Sequence, residues 1–342
     1  MPAHRFSVAP MMDWTDRHCR MFHRCLTQRA ELYTEMVTSA AVVHGDRARL
    51  LDFDPRERPV VLQLGGCEPD ELAEAARIGA GWGYDAINLN VGCPSDRVQS
   101  GRFGAALMAE PERVGRCVAA MAQVVDVPVT VKCRIGIDAQ DSETDFARFV
   151  EIVADHGCRQ FVVHARKAWL NGLSPKENRE IPPLDYDRVH RLKLARPDLE
   201  VVLNGGLRTL DEGCAAAGAL DGMMLGRAAY QTPATLGEVD QRIFDSAAPP
   251  ISRRAALEAF CHYVEEACAQ GTRLHAMTRH VLGIVQGLAG ARRFRQILSS
   301  EATRPGADVE VLVRAMGAVA FDEAAETAQA AAPEFRREAL DA

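Results

Sequence analysis

The sequence predicts an α/β protein: a (β/α)8 TIM barrel over residues 1–240, a linker at 241–251, and a small all-helical domain at 252–342. Three observations predict it. Eight short runs rich in Val, Ile and Leu recur between Phe6 and Leu225. Stretches with apolar residues at three- and four-residue spacing separate most of them. After Tyr230 the strand signal stops, Ala247-Ala-Pro-Pro250 reads as a linker, and the rest carries only helical periodicity.

In chain order the strand-like runs are 6–9, 31–36, 60–64, 86–90, 129–133, 161–164, 201–203 and 222–225. Helices are expected over 69–78, 111–124, 144–156 and 186–194. Eight such alternations fit the size of a barrel of this type. A doubly wound open sheet is the rival, and a dinucleotide fingerprint would favour it. The nearest candidate, Gly79-Ala-Gly-Trp-Gly83, precedes a strand instead of following one, so it reads as the end of a helix. The Ala/Glu-rich C-terminal tail is expected to fray.

Composition sets the outer bounds. A chain of 342 residues suits one large α/β domain with an appendage. No apolar run reaches the roughly 18 residues of a membrane span, so no membrane partner is expected. The start, MPAHRFSVAPMMDW, lacks a basic stretch followed by an apolar core, and a cytoplasmic location follows as an expectation. Ten cysteines include no C-x-x-C pair, which argues against a metal site and against a disulfide framework. Most should be buried fillers. The net charge of −7 argues weakly against a nucleic-acid partner, but its distribution does not: 271–304 holds six Lys/Arg against one acid, and 159–196 nine against four. A charge run is ordinarily a solvated face, so these segments need a second observation. Nothing in the sequence points to an obligate protein partner.

In such barrels chemistry collects at the C-terminal ends of the strands. Glycines after the last two strands are where these barrels bind phosphate, because bare backbone amides can close on its oxygens. Gly205, Gly206 and Gly226, with Arg227 for charge, therefore form a candidate phosphate cup, or else merely turn tight corners. Lys132 shares a strand face with Thr130 and Arg134. If that face lines the barrel mouth, the ammonium needs an anionic partner such as a flavin ring's N1/O2 edge. A Schiff-base role or a side chain reaching to solvent are the alternatives. His164 could bond a cofactor or sit satisfied in the core, and Gln63 could hold a ring edge or cap a loop. In Asn88-Leu-Asn-Val-Gly-Cys-Pro-Ser95, Cys93 ends a strand between a glycine and a proline, a setting that fixes a turn. With no basic residue adjacent in sequence, its thiol suits giving a proton better than attacking as a thiolate.

Taken together, RFSVAPMMDWTDRHCR, YTEMV, VLQLGG, NLNVGCPSDRVQSGRFG, VKCRIGID, HARKAWLNGLSPKENREIPPLDYD, LNGG and LGRAAY resemble the tRNA-dihydrouridine synthases, specifically the A subfamily, across residues 5–300. The resemblance implies a flavin-dependent reductase that saturates the C5=C6 bond of uracil in the D-loop of tRNA. By that similarity Pro10, Met11 and Met12 lie against the FMN ring, Gln63, Lys132 and His164 bond it, and Asn204, Gly205, Gly206, Gly226 and Arg227 hold its phosphate. NADPH is the implied reductant, with hydride passing from flavin N5 to C6 and a proton from Cys93 to C5. Asn90 is implied to contact the target base, and Lys176, Arg179, Arg292 and Arg295 the tRNA. One stretch departs from the family pattern: GLAGARRFRQILS has Ala289 and Phe294 where a proline and a tryptophan are expected, and Gln296 where another arginine is common. Two rivals remain at this stage. One is an FMN-barrel dehydrogenase of the dihydropyrimidine or dihydroorotate type acting on a free base; the other is a tRNA-binding protein without catalysis.

Overall fold

A computed structural model describes residues 3–95, 98 and 101–321. Its strands are β1 (Phe6–Val8), β2 (Glu31–Tyr33), β3 (Val37–Thr38), β4 (Val60–Gly65), β5 (Ala86–Val91), β6 (Val129–Arg134), β7 (Gln160–His164), β8 (Glu200–Asn204) and β9 (Gly222–Leu225). All pairings are parallel, in the order β2-β1-β9-β8-β7-β6-β5-β4-β3, and an additional β2–β4 pairing closes the ring. Eight strands make the barrel, and β3 only extends the end of β4 at Leu64 and Gly65. The fold is the predicted (β/α)8 barrel.

The second strand is shorter than the expected run of 31–36. It ends at Tyr33 because the Thr34 hydroxyl takes over the ladder's work, accepting the Gln63 N–H at 3.0 Å and donating to the Glu35 carbonyl at 2.7 Å. A side chain that substitutes for a backbone group in this way releases the chain from the sheet.

Alternation along each strand sorts the residues. Ala9, Tyr33, Val61, Ala86, Val162, Val202 and Met224 form one cluster inside the barrel. Their neighbours Leu32, Leu62, Ile87, Val131, Phe161 and Leu203 are fully buried on the other face, against the helices. Each such side chain contributes on the order of 1.5–3 kcal/mol.

The helices follow the expected segments closely: α1 (Pro69–Gly81), α2 (Pro111–Ala122), α3 (Glu143–Asp155) and α4 (Tyr186–Ala195). Helix α3 begins one residue earlier than its apolar pattern suggests, because Ser142 and Asp145 form a capping box. The glycine-rich run at 79–83 does end α1. A Cβ at Gly79 would strike Leu62, so glycine there lets the helix lie close on β4.

The chain divides into two compact units, residues 1–24 with 28–231 and residues 25–27 with 232–342. Within the second, helices span Val239–Phe244, Arg253–Ala269, Leu274–Thr278, Ala291–Glu301 and Val309–Met316, and its described residues contain no strand. Residues 241–244 of the expected linker belong to a helix that stops at Asp245, whose φ is 53°. Ser252 caps the next helix by accepting the Ala255 N–H. Phe260, Phe294 and Leu312 are fully buried. The tail expected to fray lies outside the described residues from 322 onward. Among the described residues no helix is long and apolar enough to cross a membrane.

Candidate active site

The inner faces of β4, β5 and β6 carry a chain of amide hydrogen bonds that ends at the cysteine turn. Strand register sets Gln63 beside Asn88, and Asn88 beside Thr130. Gln63 Nε2 donates to Asn88 Oδ1 at 2.8 Å, and Asn88 Nδ2 to Thr130 Oγ1 at 2.8 Å. One turn of the pleat higher, Asn90 Nδ2 donates to Gln63 Oε1 at 2.9 Å. Asn90 Oδ1 then accepts the backbone N–H groups of Gly92 at 3.1 Å and Cys93 at 3.0 Å. All four side chains are buried, so each of these bonds is made without water competing for it.

The turn is held from its other side as well. Arg134, also buried, donates from Nε to the Gly92 carbonyl at 2.9 Å and from Nη1 to the carbonyls of Lys167 and Asn178 at 3.0 Å each. The Cys93 carbonyl accepts the Ala105 N–H at 2.9 Å. Backbone order is therefore fixed while the side chain stays partly open, with its Sγ 3.6 Å from the Ser95 hydroxyl. No basic nitrogen bonds this thiol among the described residues. By contrast, burial pushes the thiols of Cys117, Cys133 and Cys158 up to about 12, which leaves them inert fillers.

Lys132 stands one strand over, paired in register with Asn90. Its ammonium donates to Asn204 Oδ1 at 2.9 Å, and Asn204 is fixed in turn by Nδ2 donating to the Met224 carbonyl at 2.8 Å. An amide oxygen does not neutralise a cation. Burial, with Arg134 beside it, pushes the Lys132 ammonium down to about 8. Burial and the positive charges of Arg134, Lys132, Arg166 and Arg179 hold the His164 imidazole well below its ordinary range, so it is neutral at pH 7. The mouth thus gathers cations around a neutral imidazole, and it favours a ligand with negative charge.

The loop after β8 completes the mouth. Gly205 and Gly206 have φ of 108° and 75°, the region that favours glycine. A Cβ at Gly205 would collide with the His164 ring, and one at Gly206 with Leu184. The Gly205 carbonyl accepts the Tyr186 hydroxyl at 2.6 Å. Among the described residues neither glycine's N–H has an acceptor. At Gly226 the nearest atom to an added Cβ would be Ala9 Cβ at 3.8 Å, so that backbone is open too. Arg227 is ion-paired with Glu180 at 2.7 Å, which ties this loop to the rim.

Pro10 and Met11 are half-buried after β1, and Met12 is 58% exposed. Their loop is pinned by the Met11 N–H bonding Thr15 Oγ1 at 2.9 Å and by the Glu35 carboxylate accepting the Asp13 N–H. Of the residues expected to meet tRNA, Lys176 and Arg179 lie exposed on the long loop after β7. Arg292 and Arg295 lie exposed on the helix Ala291–Glu301 of the second unit, and Phe294 between them is fully buried. Arg292 stands in the first turn, where a cation is unfavourable for the helix dipole, so it is not there to stabilise the helix.

The sequence assigns no role to Asn88, Arg134 or Asn178, although it sets Arg134 on the strand face of Lys132. Asn178 is fully buried and bonds the Trp169 N–H and carbonyl at 2.8 and 2.9 Å and the Leu173 carbonyl at 3.1 Å. For Asn88 the available signal was its alternation with Asn90 on one strand face, for Arg134 its alternation with Lys132, and for Asn178 there was none.

Comparison with known proteins gives a family and a fold. Residues 7–320 match the family model described as dihydrouridine synthase (Dus). The tRNA-dihydrouridine(20/20a) synthase of Vibrio vulnificus (strain CMCP6) is 54% identical over 316 residues, covering 92% of this chain and 97% of that one. Its counterpart of the same name from Xanthomonas axonopodis pv. citri (strain 306) is 57% identical over 312 residues, covering 91% and 93%. Among solved structures, an old yellow enzyme homologue from Zymomonas mobilis superposes with a TM-score of 0.50 at 12% identity, covering 75% of this chain and 92% of that one. The latter is a likeness of fold.

Proposed function

The chain belongs to the dihydrouridine synthase family, and from that premise we propose that it binds FMN in the barrel mouth and reduces uridines 20 and 20a in the D-loop of tRNA, with NADPH as reductant. A cytoplasmic setting supplies both substrates. The observation that carries the reading is Lys132: a cation in the mouth whose only bonded partner among the described residues is an amide oxygen, facing the same opening as the Cys93 thiol.

The residues fit the cofactor. Lys132 and neutral His164 offer donors to a ring edge, Pro10 to Met12 an apolar wall, and the acceptor-free amides of Gly205 and Gly206 a seat for phosphate. When bound, FMN supplies the hydride for C6 of the uracil. Lys132 would hold the ring edge and would place its positive charge there. Cys93 gives its proton to C5, the atom left electron-rich, and the Asn90 and Arg134 bonds hold that thiol in place. Asn90 has one amide hydrogen left to offer the base once it has bonded Gln63.

The target uracil must leave its stack to reach this depth, at a cost of a few kcal/mol. Phosphate contacts from Lys176, Arg179, Arg292 and Arg295 offset it. Charge reversal at Lys176 or Arg292 should weaken tRNA binding and reduce the salt slope of log Kd by about 1 per contact removed, with FMN content unchanged. Filter binding at several salt concentrations and the flavin absorbance check this; a variant that loses both tRNA and FMN would contradict it.

The test of the activity is mass spectrometry of tRNA incubated with the protein and NADPH. Nucleosides at positions 20 and 20a should gain the mass of two hydrogens. No gain in any tRNA, with flavin bound and NADPH oxidised, would sink the reading.

A further inference from the structure

The long loop after β7 carries an exposed aromatic ring for which the flavin chemistry has no use. Trp169 is 39% exposed. Its loop is packed along the loop after β6: the Ala168 N–H bonds the Gly136 carbonyl at 2.9 Å, and the Asp138 N–H bonds the Ala168 carbonyl at 2.9 Å. Trp169 therefore stands on the rim above β6 and β7, the strands that carry Lys132 and His164. Its own N–H and carbonyl are clamped by buried Asn178, and Arg134 grips the carbonyls on either side, at Lys167 and Asn178.

One face of the ring is covered by the Lys167 ammonium, 4.1 Å from the ring centroid, which is itself anchored on Asp141 at 2.7 Å. Nearby acids are occupied: Glu177 accepts the Ser174 N–H at 2.8 Å, and Glu180 pairs with Arg227. Lys176 and Arg179 carry no ion pair among the described residues. A rigid exposed aromatic beside unpaired cations is the combination that single-stranded nucleic acid recognises, with the ring taking a base and the cations the backbone. A ring on a fixed backbone, with one face already covered by Lys167, has less freedom to lose when a base settles on it.

We propose that Trp169 is a stacking platform for a tRNA base that neighbours the reacting uridine. This deepens the tRNA reading and rests on it. The test uses the full-length, FMN-loaded protein with Trp169→Ala and Trp169→Phe, scored by KM for tRNA, kcat and FMN content. Loss of stacking in the alanine variant should raise KM about tenfold, equivalent to roughly 1.4 kcal/mol, with kcat and FMN content unchanged. Phenylalanine keeps a stacking face and should restore most of the affinity. An alanine variant with wild-type KM, equal damage in both variants, or loss of FMN would each overturn the proposal and leave the parent reading standing. A wild-type protein that binds no tRNA would remove both.

Discussion

Cys93→Ala should retain FMN and its reduction by NADPH while dihydrouridine formation falls by about 10²–10⁴-fold, the usual contribution of a positioned proton donor. The substitution removes the thiol alone. The turn at 92–93 is held through backbone atoms, by Asn90 Oδ1 on two N–H groups and by Arg134 on the Gly92 carbonyl. Losing Sγ leaves all of these bonds in place. Only the proposed proton source would go, and hydride arriving at C6 would leave charge at C5 with nothing to quench it. Stopped-flow absorbance separates the two halves of the reaction, and mass spectrometry reads the product. Full activity in this variant would remove the mechanism, and loss of FMN would show that the turn, not the thiol, was at stake.

Lys132→Met should do the opposite, slowing reduction of the bound flavin by roughly 10²–10³-fold, as expected when one preorganised electrostatic donor is deleted. It has a second consequence that is independent of activity. The folded protein holds this ammonium at about 8, below its ordinary 10.5, so the unfolded chain binds the proton more tightly. The charge therefore destabilises the flavin-free protein most fully below about pH 8, and that penalty fades as pH rises toward 10.5. Flavin-free Lys132→Met should melt higher than the parent at pH 7, and the difference should shrink as pH rises. Equal melting at pH 7, together with unchanged flavin reduction, would show that Lys132 does not face the cofactor.

The barrel was legible in the sequence because each strand is buried on both faces, which writes a short apolar run into the chain. The end of the second strand was not, because a single hydroxyl on Thr34 ends it, and threonine is otherwise a good strand residue. Candidate residues stood out where residue type alone suggests chemistry: a lysine on a strand face, a cysteine between glycine and proline, and glycines after β8.

What stayed hidden were groups whose role is made by register. Asn88 has meaning only once β4 and β6 bring Gln63 and Thr130 beside it. Asn204 reads as part of a phosphate loop, yet its side chain turns inward to hold Lys132. Arg227 reads as charge for a phosphate cup, and its pairing with Glu180, distant in sequence, leaves no mark in the chain. Contacts between loops of different strands leave no periodic trace.

The most direct measurement is a single turnover without oxygen. Protein bleached by one equivalent of NADPH and then mixed with tRNA should regain its visible flavin absorbance, and the tRNA should gain two hydrogens for each flavin recovered. Absorbance that stays bleached in the presence of tRNA, or that returns with no change in nucleoside mass, would contradict the account.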